Sequence, residues 1–170
     1  MGDFMGQYVD KVNHPVHYAD QGDIECIDFI TVIVAPYQGV VAGDLQNVIK
    51  YTWRADYKNG IEDLKKALWY AGHATKQIRL QEADVNRISR VWRTVVVKRT
   101  LEEDELLAKA VNQVKKHLTD KEKSFYDIVI NSIVDGNLYR LKSGTENLIS
   151  ALEDWIFSYE EEKAKKKRGV

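Results

Sequence analysis

One cysteine, two prolines and almost no net charge are the first constraints on this 170-residue chain. A single cysteine excludes a disulfide within the chain and any multi-cysteine zinc site, and it suits a reducing compartment. Cys26 lies in the apolar run 24–34, where a small buried hydrophobe is expected and a nucleophile is not. Both prolines precede residue 37, so no proline ring interrupts a helix beyond that point. The formal net charge of −1 sets a simple nucleic-acid coat behind other readings, because such proteins carry a basic excess. No apolar run is long enough to span a bilayer, and the N-terminus lacks a signal-peptide pattern, so a cytoplasmic protein without membrane contact is expected. The Gly-rich phosphate loops GxxxxGK[ST] and GxGxxG are missing, as are GxSxG and a Cys/His pairing for acyl transfer.

What is present is enough apolar material for a core (44% hydrophobic residues) and enough charge for solubility (30%). The periodicity is helical nearly throughout, which predicts an all-α fold. Asp23 is placed to cap a first helix with Ile24, Ile27, Phe29, Ile30 and Ile33 on its apolar side, ended by Pro36. A second helix is expected from about Asp44, with Leu45, Val48, Ile49, Thr52 and Trp53 inward and Asn47, Lys50, Arg54 and Lys58 outward. Asn59-Gly60 is a strong stop. A third helix follows with Ile61, Leu64, Ala67, Leu68, Ala71, Ala74 and Ile78 as its inner stripe, so helices two and three should form an antiparallel hairpin. Further helices are expected over 101–118, after Thr119 (with Glu122 completing a capping box) up to Asp135-Gly136, and from Thr145 onward, with a fraying charged tail over 160–168. A seam near 81–86 divides the chain into an N-terminal hairpin module, 1–82, and a helical C-terminal domain, 83–170.

The chemistry-bearing residues gather in the first half. Lys50, Arg54 and Lys58 recur every four residues, with Asn47 one turn earlier, so they share a helix face. Converging cations clamp phosphate, and Arg does so bidentately. Spacing alone leaves that face open between a phosphate clamp and an ordinary solvated surface. His14 and His17, in His14-Pro15-Val16-His17-Tyr18, sit on a backbone stiffened by proline and suit proton transfer or phosphate contact, or hydrogen bonding at a helix start. Glu25 and Asp28 are neighbours on one helix face; they suit Mg²⁺ or a sugar hydroxyl, or equally a helix N-terminus. Asp63, Lys66, Tyr70 and His73 form a second polar line with the same ambiguity. In the second half, Arg87, Arg90, Arg93, Lys98 and Arg99 surround Trp92, and the acidic run 102–105 follows at once.

Taken together, His14, Pro15, His17, Tyr18, Ile24, Glu25, Ile27 and Asp28, then Asn47, Lys50, Tyr51, Arg54, Ala55 and Lys58, then Asp63, Leu64, Lys66, Ala67 and Tyr70 resemble the SaV-like phage family. That family is of largely unknown function and includes a small phage nucleotide kinase. The resemblance covers residues 13–80. It implies phosphoryl transfer from a nucleoside triphosphate, with Mg²⁺, to a deoxynucleoside monophosphate, or at least nucleotide binding, in the host bacterial cytoplasm. In that reading His14, His17 and Arg54 are catalytic, Tyr18, Asn47, Lys50 and Lys58 hold the nucleotide phosphates, and Glu25 and Asp28 hold metal or ribose. Two positions depart from the family pattern: Gln46 and Asp56 stand where glycines are usual, and Asp56 brings an acid towards the basic stripe. The departures and the unmatched second half motivate an alternative: a phage-encoded binding protein that inhibits a host factor, for example an anti-CRISPR protein acting on a Cas nuclease. Its docking surfaces would be Trp155, Phe157 and Tyr159 and the Arg87–Arg99 cluster. Apolar helix stripes of this kind also predict a homo-oligomer.

Overall fold

The computed structural model describes residues 25–83, 100–118, 120–133 and 138–168, and among them every element is helical. Helix α1 is Cys26–Val34, α2 Val40–Trp53, α3 Ile61–Ala83, α4 Leu101–His117, α5 Asp120–Ile128 and α6 Leu138–Arg168. A 3₁₀ turn, Ala55–Tyr57, links α2 to α3, and a π-helical turn, Val129–Ile133, extends α5. The all-α expectation holds.

Helix α3 organises the packing. Leu64, Ala67, Ala71, Ala74 and Ile78 are fully buried at helical spacing, and α3 packs against α2 and against α6. Arg54 reaches Asp63 and Asp44 reaches His73, so α2 runs antiparallel to α3 as the short connection requires. On its other side, Lys65 pairs with Glu160 and Arg79 with Glu146, which makes α6 antiparallel to α3 as well. Helix α1 leans on α2 and α4, and α5 with its π turn packs on α6.

One apolar core runs from Cys26 to Ile156 and crosses the expected 82/83 boundary. Phe29, Trp53 and Phe125 surround the buried ring of Tyr126, whose hydroxyl lies 3.4 Å from that of Thr52. The Tyr37 hydroxyl donates to the Ile133 carbonyl, tying the turn after α1 to the turn after α5.

Several expected boundaries move. Helix α1 starts at Cys26, with Glu25 as N-cap, and Ile27 faces outward at 60% exposure because its neighbour Cys26 takes the inward direction. The expected cap Asp23 and Ile24 lie outside the described residues. Helix α2 starts four residues before Asp44, after Gly39 in a left-handed conformation (φ 80°), so Asp44 is an internal, buried residue. It ends at Trp53, so Asp56 and Lys58 leave the helix that carries Asn47 and Lys50. Helix α4 is capped by Thr100 in a reciprocal box with Glu103. Helix α6 begins at Leu138, which makes Thr145 an interior residue whose hydroxyl donates to the Lys142 carbonyl, and it stays helical to Arg168 where fraying was expected. Of the aromatic trio on α6, Trp155 belongs to the core, Tyr159 is half-buried and Phe157 is exposed. The Arg87–Arg99 cluster, Thr119 and Asp135-Gly136 lie outside the described residues.

Candidate functional site

The polar faces of α2 and α3 meet along the hairpin and form one continuous surface. Its base is the pair Arg54 and Asp63. Asp63 has no solvent exposure, and burying a bare carboxylate is costly unless its oxygens are paired. Arg54 supplies Nε to Oδ2 at 2.9 Å and Nη2 to Oδ1 at 3.1 Å, a two-pronged grip, and Asn59 Nδ2 adds a bond to Oδ1 at 3.2 Å. Burial alone would push the Asp63 carboxyl up. The hydrogen bonds from Arg54 and Asn59 and the charges of Arg54 and Lys66 outweigh it and hold the group below the usual carboxylate range.

Above that base lies the ring of Tyr51, with three cations around it. Lys50 Nζ is 4.6 Å from the ring centroid, Arg54 Cζ 4.7 Å and Lys66 Nζ 5.8 Å, all within reach of a cation–π attraction. Tyr51 in turn stacks on Tyr70 of α3 at 5.8 Å between centroids. Two carboxylates answer the three cations. Asp63 takes Arg54, and Glu62 Oε1 takes Lys66 at 2.6 Å, a bond that raises the Lys66 pKa and keeps the ammonium charged. Lys50 is held differently, by the neutral amide of Asn47: Nζ donates to Oδ1 at 2.6 Å, while Asn47 Nδ2 donates to the Gly43 carbonyl at 2.9 Å. The amide is thereby oriented with its oxygen towards the ammonium. Among the described residues of this cluster the three cations exceed the two carboxylates by one, and Lys50 is the cation held by an amide.

At the far end, Asp44 Oδ2 lies 2.8 Å from His73 Nδ1, and Gln77 Nε2 lies 3.2 Å from His73 Nε2. A neutral imidazole protonated on Nδ1 satisfies all three groups at once. Burial raises Asp44 above the usual carboxylate range, opposed by the hydrogen bond from His73 and, when the imidazole is protonated, by its charge. Trp69 stacks on His73 and meets Tyr70 edge-on.

The sequence-predicted residues therefore separate. Asn47, Lys50 and Arg54 come together, Asn47 as the holder of Lys50 and Arg54 as the partner of Asp63. Lys58 is exposed in the turn. Glu25 and Asp28 form a reciprocal capping box at the start of α1: the Glu25 side chain accepts from the Asp28 amide, and the Glu25 amide donates to Asp28 Oδ2 at 3.2 Å. Among the described residues no group of three or more His, Cys, Asp or Glu is placed to hold a metal ion. His14, His17 and Tyr18 lie outside the described residues. Burial pushes the Cys26 thiol up to about 12, against the pull of Lys50 and Arg54, which leaves it an inert core residue.

Residues 12–72 match the sequence model of a family described as a protein of unknown function (DUF3310). The match takes in His14, His17 and Tyr18, all of α1 and α2 and the first half of α3, and so includes the three cations and Tyr51. No curated protein and no solved structure matches the chain.

Tyr51, Asp63 and Lys66 carry more of this site than spacing along one helix suggested. The register of the hairpin could have found them. Positions equidistant from the Lys58-Asn59 junction just before Gly60 face each other, which puts residue 54 opposite 63, 51 opposite 66 and 44 opposite 73.

Proposed function

We propose that the chain binds a nucleotide by its phosphate on the polar face of the α2–α3 hairpin. With the His14–Tyr18 segment, it moves a phosphoryl group from a nucleoside triphosphate to a deoxynucleoside monophosphate. The observation that supports this most is Lys50, an ammonium beside two other cations whose own partner is a neutral amide. A phosphate arriving there gains a charge-assisted hydrogen bond without displacing a carboxylate. Arg54 is less available, since two of its nitrogens bond to Asp63, and it adds field more than direct grip. In transfer chemistry an acceptor phosphate oxygen bonds to the γ-phosphorus as the bond to the bridging oxygen breaks, and fixed cations stabilise the charge moved in that step. Mg²⁺ enters this reading as the ion that accompanies a nucleoside triphosphate.

The test is calorimetric titration of the full chain with nucleoside mono- and triphosphates, together with assay of each deoxynucleoside monophosphate with Mg²⁺ and triphosphate for diphosphate product. Lys50→Ala should weaken nucleotide binding by about 1.5–3 kcal/mol, the range for a hydrogen bond to a charged group. Its melting temperature should hardly move, because the side chain is partly exposed. Arg54→Ala is the poorer probe, since it also strips the partner of buried Asp63. Wild-type protein that neither binds a nucleotide nor forms diphosphate would refute the proposal.

A further inference from the structure

We infer that Trp69 is a stacking pad for an aromatic ring on the same ligand whose phosphate the neighbouring cations hold; the inference rests on the phosphate reading above. Trp69 is 62% exposed, so its indole adds little to folding through burial. It is nevertheless fixed. The His73 ring lies nearly parallel to it, 5.3 Å between centroids with 6° between planes, and the Tyr70 ring stands nearly perpendicular to it, 4.9 Å between centroids at 88°. His73 is itself held on both ring nitrogens, by Asp44 and Gln77. His73 lies against the indole, and most of the residue nevertheless remains exposed. Scattered surface aromatics are ordinary, but this one stacks on an imidazole that a buried carboxylate holds, a polar network that a solvated ring does not need.

Position gives the pad its meaning. Lys66 and Trp69 are three residues apart on α3, a little under one helical turn or ~4.5 Å along the axis. Tyr70 links the indole to Tyr51, around which the cations gather. A phosphate alone would not use the ring, and an apolar ligand would not use the cations. A phosphate ester carrying a flat ring one sugar away uses both, which describes a nucleoside 5′-phosphate. A ring already held in place loses little freedom on stacking, and any base offers a π-face, so the pad should tolerate different bases.

The experiment compares nucleoside 5′-monophosphates, ribose 5-phosphate and the uncharged nucleosides by titration against the full chain. Circular dichroism confirms that each variant is folded. Wild type should bind the nucleotides about ten- to a hundredfold tighter than ribose 5-phosphate, the range for stacking on one aromatic side chain. Trp69→Ala should erase that difference while leaving ribose 5-phosphate affinity within about twofold, and Trp69→Phe should retain most of it. Nucleotides should quench fluorescence in wild type and not in Trp69→Phe. Equal affinity of wild type for nucleotide and ribose 5-phosphate, or a difference that survives Trp69→Ala, would overturn the pad and leave the phosphate reading standing. Nucleosides that bind as well as nucleotides, indifferent to Lys50→Ala, would sustain the pad and sink the phosphate reading. No binding by any of the three compounds would end both.

Discussion

Asp63 holds a negative charge with no solvent exposure, and Arg54, Asn59 and Lys66 all answer it. Removing that charge takes away the two-pronged bond of Arg54. Asp63→Ala leaves the Arg54 guanidinium, only 12% exposed, without its carboxylate, and should cost about 3–5 kcal/mol in urea denaturation. The pair also sets an acid dependence. The folded-state pKa of Asp63 lies below its unfolded value of about 3.9, so its contribution is present above that pH and is lost as pH falls through the folded value. Asp44 has the opposite sign. Its folded-state pKa is raised, so its contribution is present at low pH and is lost as pH rises through that value. On acidification from about pH 6 to 3, urea midpoints should therefore fall less in Asp63→Asn than in wild type, and more in Asp44→Asn than in wild type. Midpoints of the two variants that run parallel to wild type would show that neither carboxyl is perturbed by folding.

Between α2 and α3 the chain reverses through Gly60, at φ 53°, a left-handed conformation that costs a side-chain-bearing residue about 1–2 kcal/mol. A Cβ built there would come within 2.7 Å of the Tyr159 hydroxyl, so the turn also depends on α6 lying across it. Gly60→Ala should lower stability by about 2–3 kcal/mol, the backbone cost plus the shift forced on Tyr159. In a Tyr159→Ala background the increment should shrink to the backbone part, and equal costs in both backgrounds would show that Tyr159 does not press on the turn. This turn and the inner stripe of α3 were legible because Asn-Gly and a run of small and branched apolar residues at helical spacing have few other uses. The start of α6 was not. Ser143-Gly144-Thr145 reads as a stop followed by a cap, yet packing buries Gly144 and Thr145 inside a continuous helix, and tertiary burial overrides the local preference. The candidate site was half legible for a related reason. Lys50, Arg54 and Asn47 show as a stripe on one helix, whereas which of them is neutralised depends on residues brought over by the opposite helix. Asp44 reads as the start of a helix until the opposite helix brings over its partner His73.

The single core sets a limit on any account that treats the matched region as self-sufficient. Residues 12–72 carry the recognisable pattern, but α3, which bears half of the candidate site, is covered on its second side by α6. Leu141, Leu148 and Leu152 of α6 are fully buried, and Trp155 and Ile156 nearly so. Each such side chain is worth about 1.5–3 kcal/mol of burial, so losing five removes on the order of 10 kcal/mol. That equals the entire net stability of an ordinary domain, about 5–15 kcal/mol. A chain cut after residue 83 should accordingly show weak helicity and no cooperative melting, while the full chain melts in one transition followed equally by far-ultraviolet dichroism and by tryptophan fluorescence. Nucleotide affinity should disappear with the fold, because the spacing of Lys50, Lys66 and Trp69 exists only while α3 is clamped between α2 and α6. A truncated chain that melted cooperatively and bound nucleotide as the full chain does would make the first half an independent module and would reduce the second half to an appendage. The fully buried Leu141, Leu148 and Leu152, on the far side of the 82/83 boundary, argue for the opposite result.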